Sequence, residues 1–323
     1  MADSATLTLA ALAAASLALG YLSWRYVETP FRRNRAIPRA RIFLVASCGS
    51  LAVLLVGLSA HVLNGFIDRL NPDDRYLASI SPSEQGVYVR TRFDALHHAS
   101  FSGQDKRIKL LVIGDSYAKD LINAIYESPL ANNIQASTHQ ISAGCGNLFL
   151  TRSIEALATS SYPVLCRQDG WYDSPAVQDL IRKSDQVWVA SAWQAWDSAL
   201  LPESVANLNR EFGNKFVIFG TKDFGTINIK KLIATPAPQR YQTRNHIPEN
   251  NRLINRQLAQ GLDTTHFVNV SDLLCGVSGG RDECPVFTPN GRLLSYDGGH
   301  LTVDGARVLG SKLVDVPVIK NAL

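Results

Sequence analysis

At 323 residues the chain is long enough for one soluble domain of ordinary size plus further segments. Apolar residues make up 46% and charged residues only 19%, and the net charge of +4 is concentrated, with six arginines falling between Arg25 and Arg41. The rest of the chain is near neutral, which excludes a nucleic-acid footprint and reads instead as the basic flank of membrane segments.

Residues 5–24 carry no charge, and about 20 apolar residues suffice to cross a bilayer. A signal peptide is the alternative, but Asp3 precedes the run and no Lys or Arg does, so the basic leading region is missing. Residues 42–63 form a second uncharged run. The arginine-rich stretch between them belongs in the cytoplasm by the positive-inside rule. The predicted organisation is two transmembrane helices over residues 1–65 with a basic cytoplasmic loop over 25–41. Everything after about Gly65 is then outside, which for a bacterial inner-membrane protein is the periplasm. Two helices buried in a soluble core is the competing reading.

Residues 66–106 are polar and irregular, with turn signals at Asn71-Pro72, Ser81-Pro82 and Ser102-Gly103. They read as a periplasmic linker with short helices that packs on the next domain. The pair His97 and His98, with no third ligand close by in sequence, reads as linker surface rather than as a metal site.

Residues 107–323 alternate strand and helix. The run Leu110-Leu111-Val112-Ile113 ending in Gly114 is a buried strand feeding a tight turn, followed by helical spacing at Ala118, Leu121, Ile122 and Ile125. Strands are predicted at 134–142, 186–191, 215–220 and 265–270, with helices at 177–183, 200–212, 250–260 and 302–312. This alternation implies an α/β fold with a parallel sheet and helices on both faces, in which chemistry sits at the carboxyl ends of the strands.

Five cysteines are present and none has zinc-ligand spacing. Cys48 lies in an apolar run. Cys275 and Cys284 close a short Gly-rich loop and read as a disulfide, with Cys145–Cys166 as a second pair. Disulfides imply an oxidising compartment, whereas four buried free thiols would not.

The first strand of the domain ends in Gly114-Asp115-Ser116. A serine there, on a glycine turn that opens a helix, is placed for nucleophilic attack beside backbone donors, but its hydroxyl needs a base. A helix cap is the competing role, since Ser and Asp favour that position. Near the end of the chain, Asp297-Gly298-Gly299-His300 puts an aspartate three residues before a histidine. His300 would take the proton of Ser116, and Asp297 would hold the imidazole tautomer. Thr302 is a candidate cap for the helix that follows.

This pairing of a GDS motif with a late DxxH motif resembles the SGNH hydrolase superfamily, over about residues 108–315. The N-terminal Trp24-Arg25-Tyr26-Val27-Glu28-Thr29-Pro30-Phe31-Arg32 looks like the end of the last core helix of the acyltransferase-3 membrane family. Some members of that family, O-antigen acetyltransferases among them, continue through one further helix into a periplasmic SGNH domain. The resemblance implies a three-layer SGNH fold and O-acyl transfer, acetyl being the expected group, through a Ser116 acyl-enzyme. The acceptor would be a hydroxyl of an extracytoplasmic glycan such as lipopolysaccharide O-antigen. It implies the membrane and an acyltransferase-3 membrane domain as partners and no nucleic acid. No cofactor or metal is implied, and a donor such as acetyl-CoA would act only through the membrane part. By the same resemblance Gly144 fills the place of an oxyanion glycine, with Gly146 or a plain turn as alternatives. Trp193 stands either at the substrate rim or in the core. The asparagine expected after the third strand is absent, with Ser191-Ala192-Trp193-Gln194 in its place. A carbohydrate acetylesterase and a non-catalytic glycan-positioning domain are the two other readings. The chain carries only the final two helices of the membrane family, so a fragment and a split protein are both open.

Overall fold

The computed structural model describes residues 4–29, 38–63, 65, 67–154, 166, 170–276 and 282–322. The middle of the predicted basic loop, residues 30–37, lies outside them. The chain divides into two units, Met1–Arg75 and Tyr76–Leu323.

In the first unit, α1 (Ser4–Ser23) runs into one π-helical turn, Trp24–Glu28, and α2 spans Arg39–Val62. Among the described residues one helix, Ala40–Val62, is long and apolar enough to cross a membrane. Its large apolar side chains, such as Phe43, Leu54 and Val56, are exposed. Such exposure of a long apolar helix is compatible with membrane anchoring.

The second unit is an α/β domain. Helix α3 (Pro72–Ala78) leads into it and α4 (Pro82–Ala95) starts at Ser81, whose hydroxyl accepts from the Glu84 N–H. The main sheet contains β1 (Ile108–Gly114), β2 (Ile134–Gln140), β3 (Gln186–Ala190) and β4 (Phe216–Phe219). A short antiparallel pair is made by β5 (Arg244–His246) and β7 (Glu283–Pro285), while β6 (Phe267–Val268) closes the main sheet. The five main strands are all parallel, in the order β2-β1-β3-β4-β6.

The helices of the domain are α5 (Ser116–Tyr126), α6 (Pro175–Lys183), α7 (Ala195–Phe212), α8 (Ile229–Ala234), α9 (Ala237–Arg240), α10 (Glu249–Gly261), α11 (Val270–Cys275), α12 (Val303–Leu313) and α13 (Pro317–Lys320). Two apolar clusters line the two faces of the sheet. Leu110 and Val112 of β1 enter one, with α5 and α12; Leu111 and Ile113 enter the other, with α6, α7 and α10. Burial on both sides is why β1 reads as an unbroken apolar run rather than an alternating one.

The segment expected as a linker contributes to this core. Phe93 of α4 is buried against α5, the Arg92 guanidinium donates to Asn123 Oδ1 at 2.9 Å, and Asn123 Nδ2 donates back to the Val89 carbonyl at 3.1 Å. Both expected disulfides, Cys145–Cys166 and Cys275–Cys284, are formed. His97 and His98, expected to stand alone, do not. The chain at 96–98 runs along the edge strand β2, exchanging backbone bonds with Thr138, and β2 brings His139 to them.

Candidate active site

The strand order reverses direction at β1, so β1 and β3 flank the crevice where open parallel sheets place their ligands. Gly114 ends β1 with φ +148°, and a Cβ there would lie 1.8 Å from the Ala190 carbonyl oxygen of β3. Only glycine lets the two strand ends approach this closely. Asp115 then caps α5, its Oδ1 accepting the Tyr117 N–H at 2.8 Å. Its Oδ2 accepts from the Ser191 hydroxyl at 2.6 Å and the Ala192 N–H at 2.8 Å. Burial pushes the Asp115 carboxyl up from its usual range, and these three donors counter that push. The loop that lacks the expected asparagine thus holds the aspartate of the first motif.

Ser116 is the first residue of α5 and half-buried. At that position its own N–H has no intrahelical acceptor, and the helix dipole presents its positive end. Opposite stands the loop 296–301. His300 Nδ1 lies 2.7 Å from Asp297 Oδ2, and Asp297 Oδ1 accepts the His300 N–H at 2.8 Å and the Gly299 N–H at 2.9 Å. Partial burial opposes ionisation of Asp297, but the imidazole and the two backbone donors outweigh it and hold the carboxyl at about 2. An ionised Asp297 fixes Nδ1 as the protonated nitrogen and leaves Nε2 as the basic one. Gly298 makes the bend between them at φ +99°, where a Cβ would meet the Gly225 carbonyl oxygen at 2.2 Å. The Tyr296 ring stacks on His300 with centroids 5.9 Å apart.

Two residues with no signal in the motifs join this loop to the nucleophile helix. Lys222, just beyond β4, places Nζ 2.7 Å from Asp120 Oδ2 of α5, with side chains only 3% and 1% exposed. The same ammonium donates to the Gly299 carbonyl and lies 3.7 Å from the centroid of the Tyr117 ring. Asp120 Oδ2 also accepts the Leu301 N–H at 3.1 Å. The Tyr117 hydroxyl donates to the Lys222 carbonyl, and burial pushes its phenol up, so it stays a donor. Tyr117 meets His300 edge-on with centroids 6.4 Å apart. One buried charge pair thus ties the helix that Ser116 opens to the backbone on either side of His300.

Gly144 sits in the single 3-10 turn Ala143–Cys145 that follows β2, half-buried and next to the Cys145–Cys166 bridge. Ile141 N–H donates to the Gly114 carbonyl at 3.0 Å, so this turn leaves the sheet beside the Ser116 turn. Gly146, the alternative, is packed under Trp196, where a Cβ would meet the indole at 2.5 Å. Trp193 belongs to the core and not to a rim: it is 3% exposed, and its Nε1 donates to the Phe219 carbonyl at 2.8 Å. Trp196, in the first turn of α7, is half-buried, and its Nε1 donates to Gln194 Oε1 at 3.1 Å.

A family model described as SGNH domain (fused to AT3 domains) matches residues 87–315. No curated protein matches the chain.

Proposed function

From the premise that this chain belongs to the SGNH domain family fused to AT3 domains, a fold of esterase and acyltransferase type, we propose that it transfers an O-acyl group to a hydroxyl of an extracytoplasmic glycan. Acetyl is the expected group and lipopolysaccharide O-antigen the expected kind of acceptor. The observation that carries the reading is the Asp297–His300 pair at 2.7 Å, bound through Asp120 and Lys222 to the helix that Ser116 opens.

In this mechanism His300 Nε2 takes the Ser116 proton as Oγ attacks the acyl carbonyl, and Asp297 stabilises the imidazolium. The Ser116 N–H and the turn at Gly144 supply donors to the developing oxyanion in this reading. Collapse expels the donor's leaving group, which takes the proton from His300, and Ser116 is left as an ester. A glycan hydroxyl then gives its proton to His300, attacks the ester carbonyl, and departs acylated as Ser116 recovers its proton. The acyl donor reaches the domain by way of acyltransferase-3 membrane helices, in this chain's partner or in a longer form of it. The active domain lies in the periplasm, on the far side of the inner membrane from the basic loop, and the two disulfides support that oxidising placement.

The test is to incubate the full chain in detergent with p-nitrophenyl acetate, with and without an oligosaccharide, and to follow acetylated Ser116 by mass spectrometry. An adduct that drains faster when sugar is added, with acetyl appearing on the sugar, supports the transferase. Rapid turnover indifferent to sugar overturns it in favour of an esterase. Neither adduct nor turnover, even beside the membrane partner, overturns both in favour of a glycan-positioning domain.

A further inference from the structure

Away from Ser116, three imidazoles converge on the edge of the sheet. His97 and His98 follow α4, and His139 lies on β2; their ligand-capable nitrogens all fall within 4.8 Å of one another. His98 Nε2 and His139 Nδ1 are 2.9 Å apart. The other nitrogen of His139, Nε2, lies 3.1 Å from the Gly170 carbonyl oxygen. A carbonyl only accepts, so His139 Nε2 carries the proton and Nδ1 turns its lone pair toward His98. A backbone carbonyl orienting an imidazole in this way is the usual outer support of a metal-ligating histidine.

The backbone also serves this convergence. His98 has φ +52°, the sole positive φ at a non-glycine among the described residues. Such a conformation costs energy for a histidine and persists where the surroundings over-determine it. Here the His98 N–H donates to the Thr138 carbonyl at 3.0 Å, and the Thr138 N–H to the Leu96 carbonyl at 3.0 Å, which pins residues 96–98 on β2. Two imidazole nitrogens at about 2.0–2.1 Å from one ion are roughly 2.8–3.4 Å apart for angles between square and tetrahedral. The His98–His139 spacing of 2.9 Å already fits the square limit and needs at most about half an ångström of opening for the tetrahedral one. His97 is exposed and stacked on His98 with centroids 4.1 Å apart, and its ligand-capable nitrogen already lies within 4.8 Å of those of the other two.

We propose that His97, His98 and His139 form a binding site for one divalent transition ion of the imidazole-preferring class, zinc, nickel or copper. His139 is the buried anchor, and His97 and His98 are the solvent-side ligands that leave the remaining positions to water. In the ion-free state His98 Nε2–H donates to His139 Nδ1. Binding moves the His98 proton to its other ring nitrogen and replaces that hydrogen bond with two metal–nitrogen bonds. The ion fastens the end of α4 to the edge strand.

The experiment uses the untagged full chain in detergent, stripped with chelator. Zn2+ is titrated against a chromophoric chelator, and substoichiometric Cu2+ is examined by electron paramagnetic resonance. The variants are His97→Ala and His98→Asn, since asparagine tolerates positive φ and keeps the turn. The expected result is one ion per chain, nitrogen hyperfine structure from the imidazoles, and affinity lower by roughly tenfold or more in each variant. No retained ion, or one bound equally well by both variants, overturns the proposal. So does a copper spectrum without imidazole nitrogen.

Discussion

Lys222 and Asp120 form an ion pair of 2.7 Å in the interior of the domain, 102 residues apart in sequence, and the same two side chains hold the backbone on either side of His300. Removing one partner leaves the other charge buried without compensation. Lys222→Met is expected to lower stability by about 3–5 kcal/mol, and a second change, Asp120→Leu, to recover much of it while leaving activity low. Denaturation of the full chain in detergent, with activity measured on the same samples, checks this. Recovery of activity along with stability would mean that the pair does not position the loop.

Ser116→Ala and His300→Ala are each expected to lower turnover of an acyl ester by about 10⁴-fold or more. The double variant should be no worse than either single one, because the two act as a unit. Steady-state turnover of p-nitrophenyl acetate gives the losses, and equal thermal unfolding of the variants shows that the fold is unchanged. Losses that multiply in the double variant would separate the two residues mechanistically.

The strands most legible in the sequence were those buried on both faces, where short apolar runs meet glycine. The pair β5 and β7 has no such run, and only the packing of distant loops around the Cys275–Cys284 bridge creates it. Ser116, Asp297 and His300 were legible because each lies in a compact motif. Asp120 and Lys222 were not, since a lone charged residue on a helix or after a strand reads as surface until the fold brings its partner. Trp193 stayed open between rim and core for a related reason: the acceptor that draws its indole inward is a carbonyl on β4, which no local pattern reveals. His139 was hidden in the same way, inside a strand whose neighbour comes from about 40 residues earlier.

Asp197 gives a pH dependence. Burial holds its carboxyl up at about 7, and its Oδ2 has no partner among the described residues. An unfolded aspartate ionises near 3.9. Between about pH 4 and 7 the folded chain therefore keeps a proton that the unfolded chain releases, so stability from this group falls as pH rises and levels off above that window. In Asp197→Asn that contribution is expected to disappear, which narrows the stability gap between pH 4 and 8 by a few kcal/mol at most. Denaturant midpoints of the two proteins across this range measure it; parallel curves would exclude Asp197.

The Cys145–Cys166 bridge spans 21 residues beside Gly144. The paired change Cys145→Ser and Cys166→Ser is expected to lower stability by about 3 kcal/mol. If the turn supplies an oxyanion donor, the surviving folded protein should also lose turnover more than substrate affinity. Steady-state kinetics of the bridge-free variant against the parent decides it, with unchanged turnover placing the oxyanion donors elsewhere.

The grip of Asp120 on the Leu301 N–H joins positions 181 residues apart. During synthesis Ser116 emerges long before the residues that make it reactive. A chain interrupted anywhere before residue 300 holds a serine with no base, and a serine without a base is a weak nucleophile. One interrupted between Lys222 and Gly299 also holds both members of a charge pair without the backbone groups that pair binds. Incomplete copies are thus both inert toward esters and poorly folded, so reactivity arises only with the finished domain.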